Sequence, residues 1–242
     1  MPTLSDSLIE LIDQKRRLVS LCVAYGNARS SAFIQRGLAQ EVSLENGAFV
    51  PCARPLPDNA LYDLASLTKL FTGVALFQLV DSGRLRLDER IGAVEPRFAR
   101  LRDTTVYDVC CYRAYLHTDE RIDAAPSREE ALRRLFTLHR VPLPDQRIYS
   151  DLNALALGLV IEARTGRSLY DVFTDAILRP AGMRETFARL PEALLPRAVC
   201  YNYEHRITGD RYTPVSYTHL DVYKRQILHR FFPSPIAFRL LS

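Results

Sequence analysis

The chain has 242 residues, of which 48% are apolar, and a formal net charge of +4 from 32 basic and 28 acidic side chains. That length and apolar content suit a globular enzyme of one domain or two closely packed lobes. So small a charge gives no case for a nucleic-acid partner, and no apolar run reaches the roughly 18 residues of a membrane span.

In chain order, Leu8, Leu11 and Ile12 alternate with Asp6, Glu10, Asp13, Lys15 and Arg16, which predicts an amphipathic helix over 5–17 in place of an export signal. Two strands are expected over 18–25 and 32–39, separated by the turn-rich residues 26–31, as the start of an antiparallel sheet. Pro51, Pro55 and Pro57 mark a loop. Beyond Lys69, the residues Leu70, Phe71, Val74, Ala75, Leu76, Phe77, Leu79 and Val80 predict a helix that is apolar nearly all round and therefore buried. Gly83 is its expected C-terminal stop. Gly73 inside it costs about 1 kcal/mol relative to alanine, which predicts close approach by another backbone.

The middle of the chain reads as helical. One short helix is expected over 105–111, and another after Ser127, where Glu130 three residues on completes a capping box. Tyr149, Ser150 and Asp151 open a third, whose Leu152, Ala154, Leu155, Leu157, Val160 and Ile161 run to Thr165-Gly166. A fourth covers 169–178 and is stopped by Arg179-Pro180. With no internal repeat or low-complexity linker, the pattern is an α+β fold whose helical lobe is inserted between the second strand and the strands that follow.

Two residue sets carry chemistry. Ser66 and Lys69 are three apart, so they share a helix face. A serine hydroxyl needs an adjacent base, and lysine serves if burial lowers its pKa enough to leave it neutral. Beside a lysine ammonium the Tyr149 phenol becomes a candidate general base. The competing structural readings are an N-cap serine with an exposed lysine, and a tyrosine packed at a helix entrance. Among the five cysteines, Cys110 and Cys111 are adjacent and no Cys-x-x-Cys spacing occurs. Cys22, Cys52 and Cys200 read as small buried hydrophobes in a reducing compartment, so the expected location is cytoplasmic.

Four segments together resemble the β-lactamase-related serine hydrolases. They are Tyr62-Asp63-Leu64-Ala65-Ser66-Leu67-Thr68-Lys69, the stretch Val80-Asp81-Ser82-Gly83-Arg84-Leu85-Arg86-Leu87-Asp88, the triplet Tyr149-Ser150-Asp151, and Pro180-Ala181-Gly182-Met183-Arg184-Glu185-Thr186. The resemblance implies a β-lactamase/transpeptidase-like fold, with Ser66 as acylated nucleophile, Lys69 as its activating partner and Tyr149 as the base relaying the proton. Asp151, the candidate substrate-binding residue, falls where class C β-lactamases carry the asparagine of a Tyr-x-Asn motif. The family's His-Thr-Ser-Gly-Leu segment is replaced by Cys110-Cys111-Tyr112-Arg113-Ala114-Tyr115-Leu116, and His117 reads as a surface or hydrogen-bonded histidine.

A third family motif, Lys-Thr-Gly or His-x-Gly on a late strand, is missing. Residues 215–226 instead resemble a translated sequencing-adaptor read and lead into a basic, aromatic tail through Ser242, so the expected organisation is an N-terminal helix over 1–17, an incomplete family domain over 18–213 and a non-native tail over 214–242. The alternative for the tail is a real extension in which Lys224, Arg225, His229 and Arg230 bind phosphate or a membrane. In the family the missing strand supplies one of two oxyanion-hole donors, and losing one donor costs about 100-fold to 1000-fold in rate. Three functions follow in order of expectation: acyl transfer on small esters or amides, β-lactamase or D-alanyl-D-alanine carboxypeptidase activity, and a catalytically dead binding module. None requires a cofactor or a metal.

Overall fold

The computed structural model describes residues 4–10, 19–27, 29–45, 48–142, 147–187, 190–199, 203–208, 211–216 and 237–238. These divide into two compact units: Leu64–Arg189 is one, and the residues before and after it form the other. Cys200, the continuation of the first helix to residue 17 and most of the tail lie outside the described residues.

The sheet unit starts with a short helix α1 (Leu4–Ile9), then strands β1 (Ser20–Gly26), β2 (Ser31–Glu45) and β3 (Ala48–Pro55) in the order β1-β2-β3. β1 and β2 are antiparallel, from Ser20 opposite Gly37 to Gly26 opposite Ser31. Asn27 makes the reversal, its Oδ1 accepting the N–H groups of Arg29 at 2.8 Å and Ser30 at 3.1 Å. Gly37 takes φ +108°, and a Cβ there would lie 2.3 Å from the Val19 carbonyl oxygen, so only glycine fits.

β3 corrects the loop expected around Pro51 and Pro55. It pairs antiparallel with β2, from Leu38 opposite Pro55 to Glu45 opposite Ala48, with irregular register between Leu38 and Val42. Proline is tolerated in β3 because, among the described residues, it is an edge strand of this sheet. The first two strands therefore have a third partner. Arg54 ties β3 to the returning chain, donating to the carbonyl oxygens of Pro196 at 2.8 Å and Ala198 at 2.7 Å. Leu61 bridges Ala198 in parallel, and Ala39, Ala60, Leu61 and Val199 are buried around this seam.

Strand β4 (Tyr62–Asp63) precedes the second unit. Later in the chain come the hairpin β8 (Tyr203–Thr208) and β9 (Arg211–Ser216), and β10 (Ala237–Phe238), which pairs antiparallel with β4. Part of the segment expected to stand outside the fold thus has strand partners.

The helical unit is built on α6 (Asp151–Thr165), in which Leu155 to Ile161 are all buried. Each fully buried Leu, Val or Ile contributes about 2 kcal/mol relative to exposure. Ser150 caps α6, accepting the Leu152 N–H at 3.2 Å, and Gly166 ends it at φ +67°. Around it stand α2 (Thr68–Asp81), α3 (Ile91–Val94), α4 (Val106–Cys110) and α7 (Leu169–Phe173), with a single wide turn over Thr174–Leu178 completing the last. The small ribbon of β5 (Leu116–His117) and β6 (His139–Arg140) brackets α5 (Arg128–Leu135). β7 (Thr186–Phe187) closes this part of the chain.

Four local expectations change. α2 ends as expected, with Gly83 at φ +69°, but it is half buried: Thr72, Ala75, Leu76 and Leu79 face inward, while Leu67, Leu70, Val74 and Phe77 form an exposed stripe. The helix packs by one face on α6 and α7, and the all-round apolar sequence does not report which faces find partners. Correspondingly, among the described residues nothing lies within 4 Å of a Cβ built on Gly73, so no close backbone approach among them explains that glycine. The Ser127 hydroxyl does accept the Glu130 N–H, but the Glu130 carboxylate is taken by Arg133 and Arg134, which hold its pKa down to about 2. Cys22 and Cys52 are half-buried and not in the core.

Among the described residues no helix is long and apolar enough to cross a membrane, and no group of three or more His, Cys, Asp or Glu side chains is placed to hold a metal ion.

Candidate active site

Ser66 lies in a 3₁₀ turn, Ala65–Leu67, that runs directly into α2. Three residues per turn make positions i and i+3 eclipse, so Lys69 stands over Ser66. The Lys69 Nζ donates to Ser66 Oγ at 3.1 Å. Ala65, immediately before Ser66, has φ +44°, a left-handed conformation that costs a non-glycine residue about 1–2 kcal/mol. Tyr149, 83 residues later and just before the cap of α6, donates its hydroxyl to Ser66 Oγ at 2.8 Å. The Lys69 ammonium also lies 4.9 Å from the centroid of the Tyr149 ring, within cation–π range. The structure thus brings together the alcohol, the amine and the phenol that the sequence singled out.

Asp151, the first residue of α6, is favoured there by the helix dipole and reaches Lys69, with Oδ1 2.5 Å from Nζ. The Lys69 side chain is 19% exposed and that of Asp151 58%. This pairing bears on the condition under which lysine would serve as the base, a pKa lowered by burial. Desolvation is the largest single influence and lowers the Lys69 pKa, but hydrogen bonding and charge from Asp151, then Tyr149, together outweigh it. The net shift is upward, so Lys69 is an ammonium at neutral pH. Its raised pKa keeps it charged further into the alkaline range than a free lysine. In Asp151→Asn the lowering influence of burial loses its chief opponent. The alkaline loss of any activity that needs the ammonium is therefore expected at lower pH than in the wild type, read from the pH profile of Ser66 labelling by a fluorophosphonate.

Two residues that the sequence reading did not single out for the site help shape it. Tyr112 stacks on Tyr149, with ring centroids 5.7 Å apart and planes inclined by 10°. Asn153, wholly buried one turn into α6, donates to the carbonyl oxygens of Val109 at 2.9 Å and Ala114 at 3.4 Å. It thereby fastens the helix carrying Asp151 to the loop carrying Tyr112. A signal for Asn153 was present, since a lone amide inside the apolar run of a buried helix must find a partner. No spacing rule flags Tyr112. His117 is exposed and meets Tyr115 edge-on at 4.4 Å between ring centroids, away from the hydrogen bonds around Ser66.

The Beta-lactamase family model matches residues 17–214. A putative D-alanyl-D-alanine carboxypeptidase of Escherichia coli (strain K12) is 32% identical over 144 residues, covering 52% of this chain and 33% of that protein. Penicillin-binding protein 4 of Amycolatopsis lactamdurans is 29% identical over 145 residues, covering 56% of this chain and 38% of that protein. The chain therefore spans well under half the length of these curated relatives. A class C beta lactamase from Rhodobacter sphaeroides shares the fold, with a TM-score of 0.66 at 19% identity, covering 96% of this chain and 60% of that one. With the family model matched along most of its length, the chain belongs to the β-lactamase family of serine hydrolases.

Proposed function

We propose that Ser66 is the nucleophile of an acyl-transfer hydrolase that acts on small esters or amides, with Tyr149 as its base and Lys69 as their electrostatic partner. The observation that carries this reading is the convergence of Lys69 Nζ and the Tyr149 hydroxyl on Ser66 Oγ, at 3.1 and 2.8 Å. In the resting arrangement both neighbours donate to that oxygen, so neither can receive the serine proton. The active form is the one in which Tyr149 has lost its proton while Lys69 remains an ammonium. Ser66 Oγ then bonds to the acyl carbon as the carbonyl electron pair moves to oxygen, and the serine proton passes to the Tyr149 oxygen. Collapse of the adduct expels the leaving group, which takes that proton, and water repeats the sequence to release the acid.

Asp151 supports the substrate class. Its half-exposed carboxylate stands beside Lys69 and offsets the cation that would otherwise receive an anionic group. Peptides ending in D-alanyl-D-alanine and common penicillins carry a carboxylate, which Asp151 would repel; a neutral ester or amide is not penalised. The second reading, a β-lactamase or D-alanyl-D-alanine carboxypeptidase, is favoured by the names of the relatives.

Mixing the chain with p-nitrophenyl acetate and, separately, with a fluorescent penicillin separates the two. A stoichiometric burst of p-nitrophenol without penicillin labelling is expected. Penicillin labelling at a comparable rate would favour the second reading. Single-turnover readouts suit a 242-residue chain that contains no Lys-Thr-Gly or His-x-Gly triplet.

The cysteines at 22, 52, 110 and 111 are free thiols, which supports a reducing, cytoplasmic setting. The family match ending at residue 214 supports reading 214–242 as an extension foreign to that domain.

A further inference from the structure

Among the described residues two non-glycine positions have a left-handed backbone, Ala65 at φ +44° and Tyr112 at φ +56°. Ala65 adjoins Ser66, and the Tyr112 ring lies on Tyr149, so both strained positions border the same site. Tyr112 follows the C-cap of α4 and completes a helix-ending motif: its N–H bonds to the Val109 carbonyl at 3.2 Å, and the next N–H, of Arg113, bonds to the Asp108 carbonyl at 2.8 Å. This is the position where glycine is the usual occupant, because a Cβ is disfavoured there. A tyrosine in that place needs a compensating role, and strain held at a site points to function.

Tyr149 supplies the need. It is 63% exposed, so burial does not hold its ring, yet proton transfer from Ser66 requires its oxygen to stay within hydrogen-bond reach. Tyr112 is itself half-buried and held by the backbone on either side, since Asn153 grips the Val109 and Ala114 carbonyls that flank it. Burial pushes the Tyr112 phenol up in pKa, so it is a neutral ring and not a rival base.

We propose that Tyr112 is a positioning residue: its ring, fixed by a strained helix terminus, holds the Tyr149 phenol against Ser66. This rests on the reading of Tyr149 as base. The test measures two quantities on the full chain, the rate of Ser66 labelling by a fluorophosphonate and the Tm. Tyr112→Gly relieves the backbone strain, and Tyr112→Asn is tolerated in the same conformation. Each is expected to slow labelling by about tenfold while Tm holds or rises. Tyr112→Phe keeps the stack and is expected to label within about twofold of the wild type.

Unchanged labelling in the glycine and asparagine variants would overturn the proposal. So would a parallel fall of Tm and rate in both, which marks a merely structural residue, or a phenylalanine variant as slow as glycine. A wild type that folds and does not label would instead sink the reading of Ser66 and Tyr149 on which the proposal rests.

Discussion

Tyr149→Phe is expected to slow acylation of Ser66 by about a thousandfold at neutral pH, the range over which a well-placed general base acts. The substitution removes one oxygen and little else. The ring remains to stack on Tyr112 and to face the Lys69 ammonium, and the side chain is largely exposed, so the fold loses almost nothing. What disappears is the atom 2.8 Å from Ser66 Oγ. Lys69 cannot replace it, because the Asp151 carboxylate beside it still favours the ammonium, which has no lone pair to receive a proton. Stopped-flow release of p-nitrophenol checks the result. A variant within a few-fold of the wild type would move the base elsewhere.

Asn153→Ala is expected to lower the stability of the helical unit by about 3 kcal/mol, or about 10 °C in Tm. Its amide donates to two carbonyls of wholly buried residues, Val109 and Ala114, and both would lose a partner in a place water does not reach. A small cavity beside Ala156 and Leu157 adds to the cost. The same bonds fasten α6 to the loop of Tyr112, so labelling of Ser66 should fall together with Tm, unlike the divergence expected of Tyr112→Gly. Differential scanning calorimetry reads the stability, and a loss below about 1 kcal/mol would mean that these bonds are weaker than their burial implies.

The site was legible where chemistry is local. Ser66 and Lys69 lie one turn apart, and that spacing alone brings their atoms within reach. Tyr149 was legible only through its place ahead of a buried helix and its likeness to a family triplet, because 83 residues separate it from Ser66. The charge state of Lys69 was not legible. The sequence indicated burial, but the opposing Asp151 carboxylate enters through α6, and the balance of the two depends on a distance. Tyr112 was invisible for a different reason. Left-handed backbone at a helix end is written in sequence as glycine, and a tyrosine there carries no mark of its conformation.

In the fold, periodicity located the first strand pair, the stop of α2 at Gly83 and the span of α6. It failed for β3 because the prolines there read as a loop, although the sequence also carries Asn46-Gly47, a dipeptide that favours hairpins. It failed for the exposed stripe of α2 because an apolar sequence states what could be buried and not what is covered.

The measurement that bears most directly on this account is peptide mapping by mass spectrometry after the folded 242-residue chain is treated with a fluorophosphonate. One adduct is expected, on Ser66, and none in Ser66→Ala. An unmodified Ser66 in folded protein, or the same adduct on another residue of both chains, would contradict the assignment of Ser66 as nucleophile.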